Sequence, residues 1–102
     1  MKRFDVYTLK GNSSVLIVNI QADLFNDLAT RIIIPLIPLS KNKKEAIEKL
    51  KPIITLKNKG YILATTDISA ITKNSFDKFV VNIEDDYRDI ITESVDFALQ
   101  GF

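Results

Sequence analysis

The sequence predicts a small, mainly β domain: a curled, mostly antiparallel sheet with one helix packed on it at the C-terminal end. Three observations carry this. Short runs rich in Val, Ile, Thr and aromatic residues recur along most of the chain, separated by turn clusters. Only the last segment repeats its apolar residues at helical spacing. The chain has 102 residues, 46% of them hydrophobic and 26% charged, which suits one globular unit rather than a disordered chain. No linker, internal repeat or low-complexity stretch divides it, so the predicted domain is 1–102.

Phe4 to Leu9 reads as the first strand and Val15 to Gln21 as the second. The cluster Lys10-Gly11-Asn12-Ser13-Ser14 joins them as a hairpin with a longer loop. Ala22 to Thr30 is polar and poor in β-branched residues, a loop. Arg31 to Leu39 returns to strand. Its prolines, Pro35 and Pro38, cannot donate to a ladder, so the strand should bend, bulge or lie partly at an edge. Ser40 is a plausible N-cap for a short helix over Lys41 to Lys51, with Ala46, Ile47 and Leu50 inward. Pro52 to Leu56 and Tyr61 to Thr66 form a second hairpin about Lys57-Asn58-Lys59-Gly60. Asp67 to Ile71 fits no single pattern, and Phe79 to Ile83 is a further strand. In the final segment Tyr87, Ile90, Ile91, Val95, Ala98 and Leu99 make one apolar helical stripe. Glu84, Asp85 and Asp86 sit where negative charge suits the helix dipole, and Gly101 can end the helix. Phe97 lies off the stripe and faces either a second contact surface or water.

Composition narrows the function. A net charge of +1 supplies no whole-molecule field for nucleic acid or an anionic membrane. With no cysteine and no histidine, the usual zinc and nucleophile–base constellations cannot be built. The three glycines are scattered, so no phosphate loop forms. No signal-peptide h-region follows the first basic residues, and the longest apolar run, Ile32 to Leu39, is too short to span a bilayer, so a cytoplasmic protein is expected. The lysines from Lys41 to Lys59 make a basic middle; without arginine or aromatic companions along the chain they read better as a solvated face than as a nucleic-acid patch. Arg31 could serve phosphoryl chemistry beside Thr30, but pairing with a carboxylate such as Asp23 is the preferred reading. The sequence closes on Ala98-Leu99-Gln100-Gly101-Phe102, and an aromatic beside a helix end either folds back or anchors an interface.

Several segments resemble one known family. Val18-Asn19-Ile20-Gln21-Ala22-Asp23-Leu24 looks like the CcdB segment Val-Asp-Val-Gln-Ser-Asp-Ile/Leu, and Arg31-Ile32-Ile33-Ile34-Pro35-Leu36 is similar to its Arg-x-Val-Ile-Pro-Leu strand. Thr65-Thr66-Asp67-Ile68-Ser69-Ala70-Ile71 resembles its Thr-Thr-Asp-Met-Ala-Ser-Val stretch. Phe4-Asp5-Val6-Tyr7 matches the opening Phe-x-Val-Tyr, and Asp96 to Phe102 parallels the terminal helix ending in Gly-Ile. The resemblance implies an SH3-like barrel of the CcdB/MazF type with a C-terminal helix, acting as a homodimer, without cofactor, metal or catalysis. It implies a toxin of a toxin–antitoxin module that wedges between the A subunits of DNA gyrase and traps cleaved DNA. A CcdA-like antitoxin would neutralise it with a disordered arm that folds on binding. Direct contact with nucleic acid or membrane is not expected.

Carried across by position, the gyrase contacts are Leu24, Phe25, Asp96, Leu99, Gln100, Gly101 and Phe102. The antitoxin contacts are Tyr7, Ala22, Leu24, Phe25 and Asp96. The chain departs from the family pattern at Ala22, where serine is usual, at Thr72, where proline is usual, and at Gln100, where the best-known member has tryptophan. Tryptophan can stack on an arginine for about 0.5–2 kcal/mol, and glutamine can only hydrogen-bond. Two alternatives stay open: a MazF-like endoribonuclease using Thr30, Arg31 and the lysines, and a non-toxic homologue that binds antitoxin only.

Overall fold

The computed structural model describes residues 1–101. Its seven strands are β1 (Asp5–Leu9), β2 (Asn12–Asn19), β3 (Thr30–Pro38), β4 (Ile53–Leu56), β5 (Lys59–Leu63), β6 (Ser69–Thr72) and β7 (Phe76–Asn82). They form one antiparallel sheet in the order β4-β5-β3-β2-β1-β7, with β6 on the first half of β3. Helix α1 (Leu39–Asn42) is a single turn, and α2 (Glu84–Gln100) packs on the sheet. The expected curled sheet with a terminal helix is therefore present.

The alternation of β-branched residues puts apolar side chains on both faces of the central strands. Phe4, Val6, Val18, Ile34, Leu36, Ile54, Leu63 and Ile91 make the main core between the sheet's inner face and α2. Ile17, Ile33 and Phe76, with Tyr7, Leu9 and Ile71 against them, make a second, smaller cluster on the other face. Each fully buried aliphatic side chain contributes about 1.5–3 kcal/mol, so the inner face is the larger source of stability.

The prolines act where the strand pattern suggested. The N-terminal half of β3 pairs with β6 through Thr30–Ile33, and the C-terminal half with β5 through Leu36–Pro38. Pro35, which has no N–H, stands at the changeover, and its carbonyl accepts the Ala64 N–H at 2.9 Å. The segment that fitted no pattern, Asp67 to Ile71, thus runs from the end of a 3-10 turn at Thr65–Asp67 into β6.

Four expectations are corrected. The first hairpin is tight: Leu9 pairs with Asn12, Gly11 takes φ 81°, and a bulge falls between Thr8 and Leu9. The second hairpin turns at Lys57 and Asn58, with φ 50° and 68°, not at Gly60. No helix spans Lys41 to Lys51. Pro38, not Ser40, precedes α1, a 3-10 turn follows at Lys43–Glu45, and Ile47 and Lys51 exchange backbone hydrogen bonds of 3.1 and 2.6 Å. Lys41, Lys43 and Lys44 repel one another, and so short a segment cannot offset helix nucleation. The α2 stripe also differs. Tyr87, Ile91, Ser94 and Val95 face the sheet, while Ile90, Ala98 and Leu99 are exposed. Ser94 takes the buried place because its Oγ donates to the Ile91 carbonyl at 2.9 Å and lies 3.4 Å from Thr65 Oγ1.

Tyr87 also fastens the edge of the sheet. Its hydroxyl accepts the Thr55 N–H at 3.0 Å and donates to the Thr55 carbonyl at 3.3 Å, covering part of the free edge of β4. At the far end of α2 the Gly101 N–H reaches the Phe97 carbonyl at 2.8 Å with φ 74°, the left-handed stop expected of glycine.

The Lys57-Asn58 turn carries two side chains in the left-handed region, where Asn then Gly is preferred. Changing Lys57→Asn together with Asn58→Gly is expected to stabilise the fold by about 1 kcal/mol, raising Tm by about 4–8 °C. A thermal melt checks this; a lower Tm would show that the two residues make contacts the turn geometry does not require.

Candidate functional site

The motif running from Val18 to Leu24 builds the loop after β2 from the inside. Asn19 is fully buried, donating from Nδ2 to the Lys2 carbonyl at 3.0 Å. Gln21 is also buried: its Nε2 donates to the Phe25 carbonyl at 2.8 Å and its Oε1 accepts the Ile32 N–H at 3.1 Å. One side chain thereby ties the loop to both of its ends. Asp23 accepts the Arg3 N–H at 2.8 Å, and Asp23–Phe25 forms a 3-10 turn.

Arg31 completes the fastening in a way that corrects the sequence reading. It is 3% exposed and forms no ion pair with Asp23. Its Nη2 donates to the Asn26 carbonyl at 2.6 Å, and its Nη1 to the carbonyls of Leu28 at 2.6 Å and Thr30 at 2.9 Å. Among the described residues, this buried cation is stabilised by backbone dipoles. The loop carbonyls gather inward around the guanidinium, and the apolar side chains are left outside. Leu24 is 84% exposed, Phe25 51% and Leu28 53%. Since these donors are taken up by the loop, Arg31 does not present a free fork to a phosphate beside Thr30.

The second group lies on the last turns of α2. Asp96, Leu99 and Gln100 are exposed, Leu99 at 73%, and Gly101 ends the helix. The Phe102 position falls outside the described residues. No hydrogen bond joins this end of α2 to the 22–29 loop among the described residues. Sequence reasoning thus named two presented surfaces and missed Leu28 on the loop; on the helix it set Ile90 in the packed stripe, whereas Ile90 is exposed, and it left Phe97 between a second contact surface and water. Ile90, Phe97, Glu93 and Asp96 line a cleft of about 520 Å³ with Glu48 and Pro52. Leu28 carried a usable signal, a third large apolar side chain beside Leu24 and Phe25 among small and polar residues.

Ala22 is exposed at the start of the loop, but Tyr7 belongs elsewhere. It lies on the sheet's second face, edge-on to Phe76 with ring centroids 5.2 Å apart and to Phe79 at 5.6 Å. Burial, and next the Asp5 carboxylate, push its phenol above the ordinary tyrosine value. The fold therefore favours the neutral phenol. That contribution is complete below the unfolded value of 10.0 and is lost as pH rises through the higher folded value. Tyr7→Phe is expected to lose less stability above pH 10 than wild type, measured by urea unfolding across that range; parallel losses would exclude Tyr7 as the group responsible.

Among the described residues no group of three or more metal-ligating side chains comes together, and no helix is long and apolar enough to cross a membrane. The chain matches the family described as CcdB protein over residues 3–101. No curated protein matches it. Among solved structures, it is similar to one titled an endoribonuclease in complex with its cognate antitoxin from Mycobacterial species. The TM-score is 0.78 at 14% identity, over 97% of this chain and 94% of that one. At that identity the likeness shows the shared fold alone.

Proposed function

The chain belongs to the CcdB family, and from that premise we propose that it is the toxin of a toxin–antitoxin module, acting by binding rather than by catalysis. Its target is the DNA gyrase A subunit, held so that cleaved DNA is trapped. The observation that carries this reading is the pair of apolar surfaces left outside the fold: Leu24 and Phe25 on the fastened loop, and Leu99 on the last turn of α2. Exposed large side chains on rigid supports serve as interface anchors. The residues assigned by resemblance fall on these two surfaces, except Tyr7 and the undescribed Phe102.

In this reading the protein works as a homodimer in the cytoplasm. A CcdA-like antitoxin shares Leu24, Phe25 and Asp96 with the target, so the two compete. A fold shared with an endoribonuclease that is bound to its cognate antitoxin supports the same class of partner. Arg31 weakens the endoribonuclease alternative, because its guanidinium is turned into the loop.

The test is a supercoiled-plasmid assay with gyrase, ATP and increasing protein, opened with detergent and protease. Linear DNA is expected with wild type and should disappear when Gly101 and Phe102 are removed. Failure to produce linear DNA with gyrase from the matching host would reject gyrase poisoning, and an RNA-cleavage assay and a growth test would then separate the two alternatives.

A further inference from the structure

The cleft between the tip of the first hairpin and α1 holds chemistry that partner binding leaves unused. It measures about 590 Å³ and is lined by Ser13, Ser14, Ser40, Lys43, Lys59 and Tyr61, among others. We propose that this cleft binds one nucleotide of a single-stranded nucleic acid, with Lys43 and Lys59 on the phosphate, the serine hydroxyls on its oxygens and the ribose, and Tyr61 against the base.

Charge is the first argument. Residues 38–44 and 57–61 carry Lys41, Lys43, Lys44, Lys57 and Lys59 and no carboxylate. The ion pairs of the described residues, Lys51 with Glu45 and Arg88 with Glu84, engage neither cleft lysine. The near-neutral total conceals this, because α2 sets Glu84, Asp85, Asp86, Asp89, Glu93 and Asp96 against Arg88 alone. A local positive patch is what a phosphate backbone responds to, whatever the net charge.

The second argument is the aromatic ring. Along the chain the lysines have no aromatic companions, which favours a solvated face. In space the hairpin β4–β5 brings Tyr61 and Lys59 to one cleft with α1 and Lys43. Tyr61 packs against the main core and also lines the cleft, so its ring is held in place. Lysines tracking a phosphate beside a fixed aromatic make a binding site for single strands, because every base has a stackable face. Gly60 shapes the wall: a Cβ there would come within 3.0 Å of Leu39 Cδ2, so glycine lets α1 lie close on β5. The volume suits one small ligand.

The site is independent of the gyrase reading. Ser13 and Ser14 start β2, whereas the 22–29 loop follows its end, roughly 20 Å away at the rise of a strand.

Fluorescence anisotropy on the full chain tests the proposal, using labelled single-stranded RNA and DNA ten-mers at low salt. Wild type is expected to bind saturably. The double variant Lys43→Gln/Lys59→Gln should weaken binding at least about 10-fold and reduce the log–log salt slope by about 1.4. Tyr61→Leu, which keeps the packing apolar, should cost about 5-fold or more. Lys2→Gln, beyond the far end of β2, should change affinity less than about 2-fold. A nucleoside monophosphate should displace the strand at lower concentration than inorganic phosphate does. No saturable binding, an equal loss with Lys2→Gln, or equal displacement by inorganic phosphate would each overturn the proposal. The same double variant should still trap gyrase cleavage if wild type does, so either idea can fail alone.

Discussion

Arg31→Ala is expected to destabilise the protein by about 3 kcal/mol, lowering Tm by about 15 °C. The guanidinium is the common donor for the carbonyls of Asn26, Leu28 and Thr30. Hydrogen bonds to a charged group contribute about 1.5–3 kcal/mol each, less where a freed carbonyl regains water. Alanine would also leave a cavity between β3 and the loop. Arg31→Lys keeps the charge but not the planar fork, so it should recover only part of the loss. The loop itself should open, with protease cutting near Leu24 and Phe25 well before the sheet unfolds. A loss under about 1 kcal/mol, with the loop still resistant, would show that the loop holds its shape without the guanidinium. The variant would also lose gyrase trapping, but by loosening the loop, and so Arg31 is a positioning residue.

The opposite pattern is expected at the surface. Leu24→Asp and Leu99→Asp should each leave thermal stability within about 0.5 kcal/mol of wild type, because neither side chain lies in the core. Each should reduce trapped gyrase cleavage at least about 30-fold, the loss of an anchor contributing about 2 kcal/mol or more. If both face the same target at separate points, the losses in the double variant should multiply. Trapping unchanged by either substitution would remove these surfaces from the proposed interface. Loss with Leu99→Asp alone would confine it to α2. The gap between melt and function is the informative quantity, since Arg31→Ala moves both and these variants should move only one.

Much of this was legible in the chain. The β-branched runs of β1, β2, β3 and β5, the two turn clusters, and the acidic start and glycine end of α2 are local features, and local energies settle them. The prolines of β3 foretold a broken pairing. Ordered matches to one family placed Leu24, Phe25 and Leu99 on presented surfaces before any geometry was known.

Tertiary structure decided what depends on neighbours distant in sequence. Ser94 rather than Ile90 faces the sheet because Thr65, from another element, lies 3.4 Å from its hydroxyl. The segment from Lys41 to Lys51 is no helix because Ile47 finds backbone partners on Lys51 and the lysines repel. Arg31 is surrounded by carbonyls rather than by Asp23 because the loop closes over it and Asp23 turns to Arg3. Tyr61 joins Lys43 only where β5 meets α1 and the turn after it, which is why the basic middle of the sequence reads as bare charge and the folded surface as a cleft. Propensity reports the energy of a residue with its own backbone; register and packing choose its partners, and no local pattern encodes them.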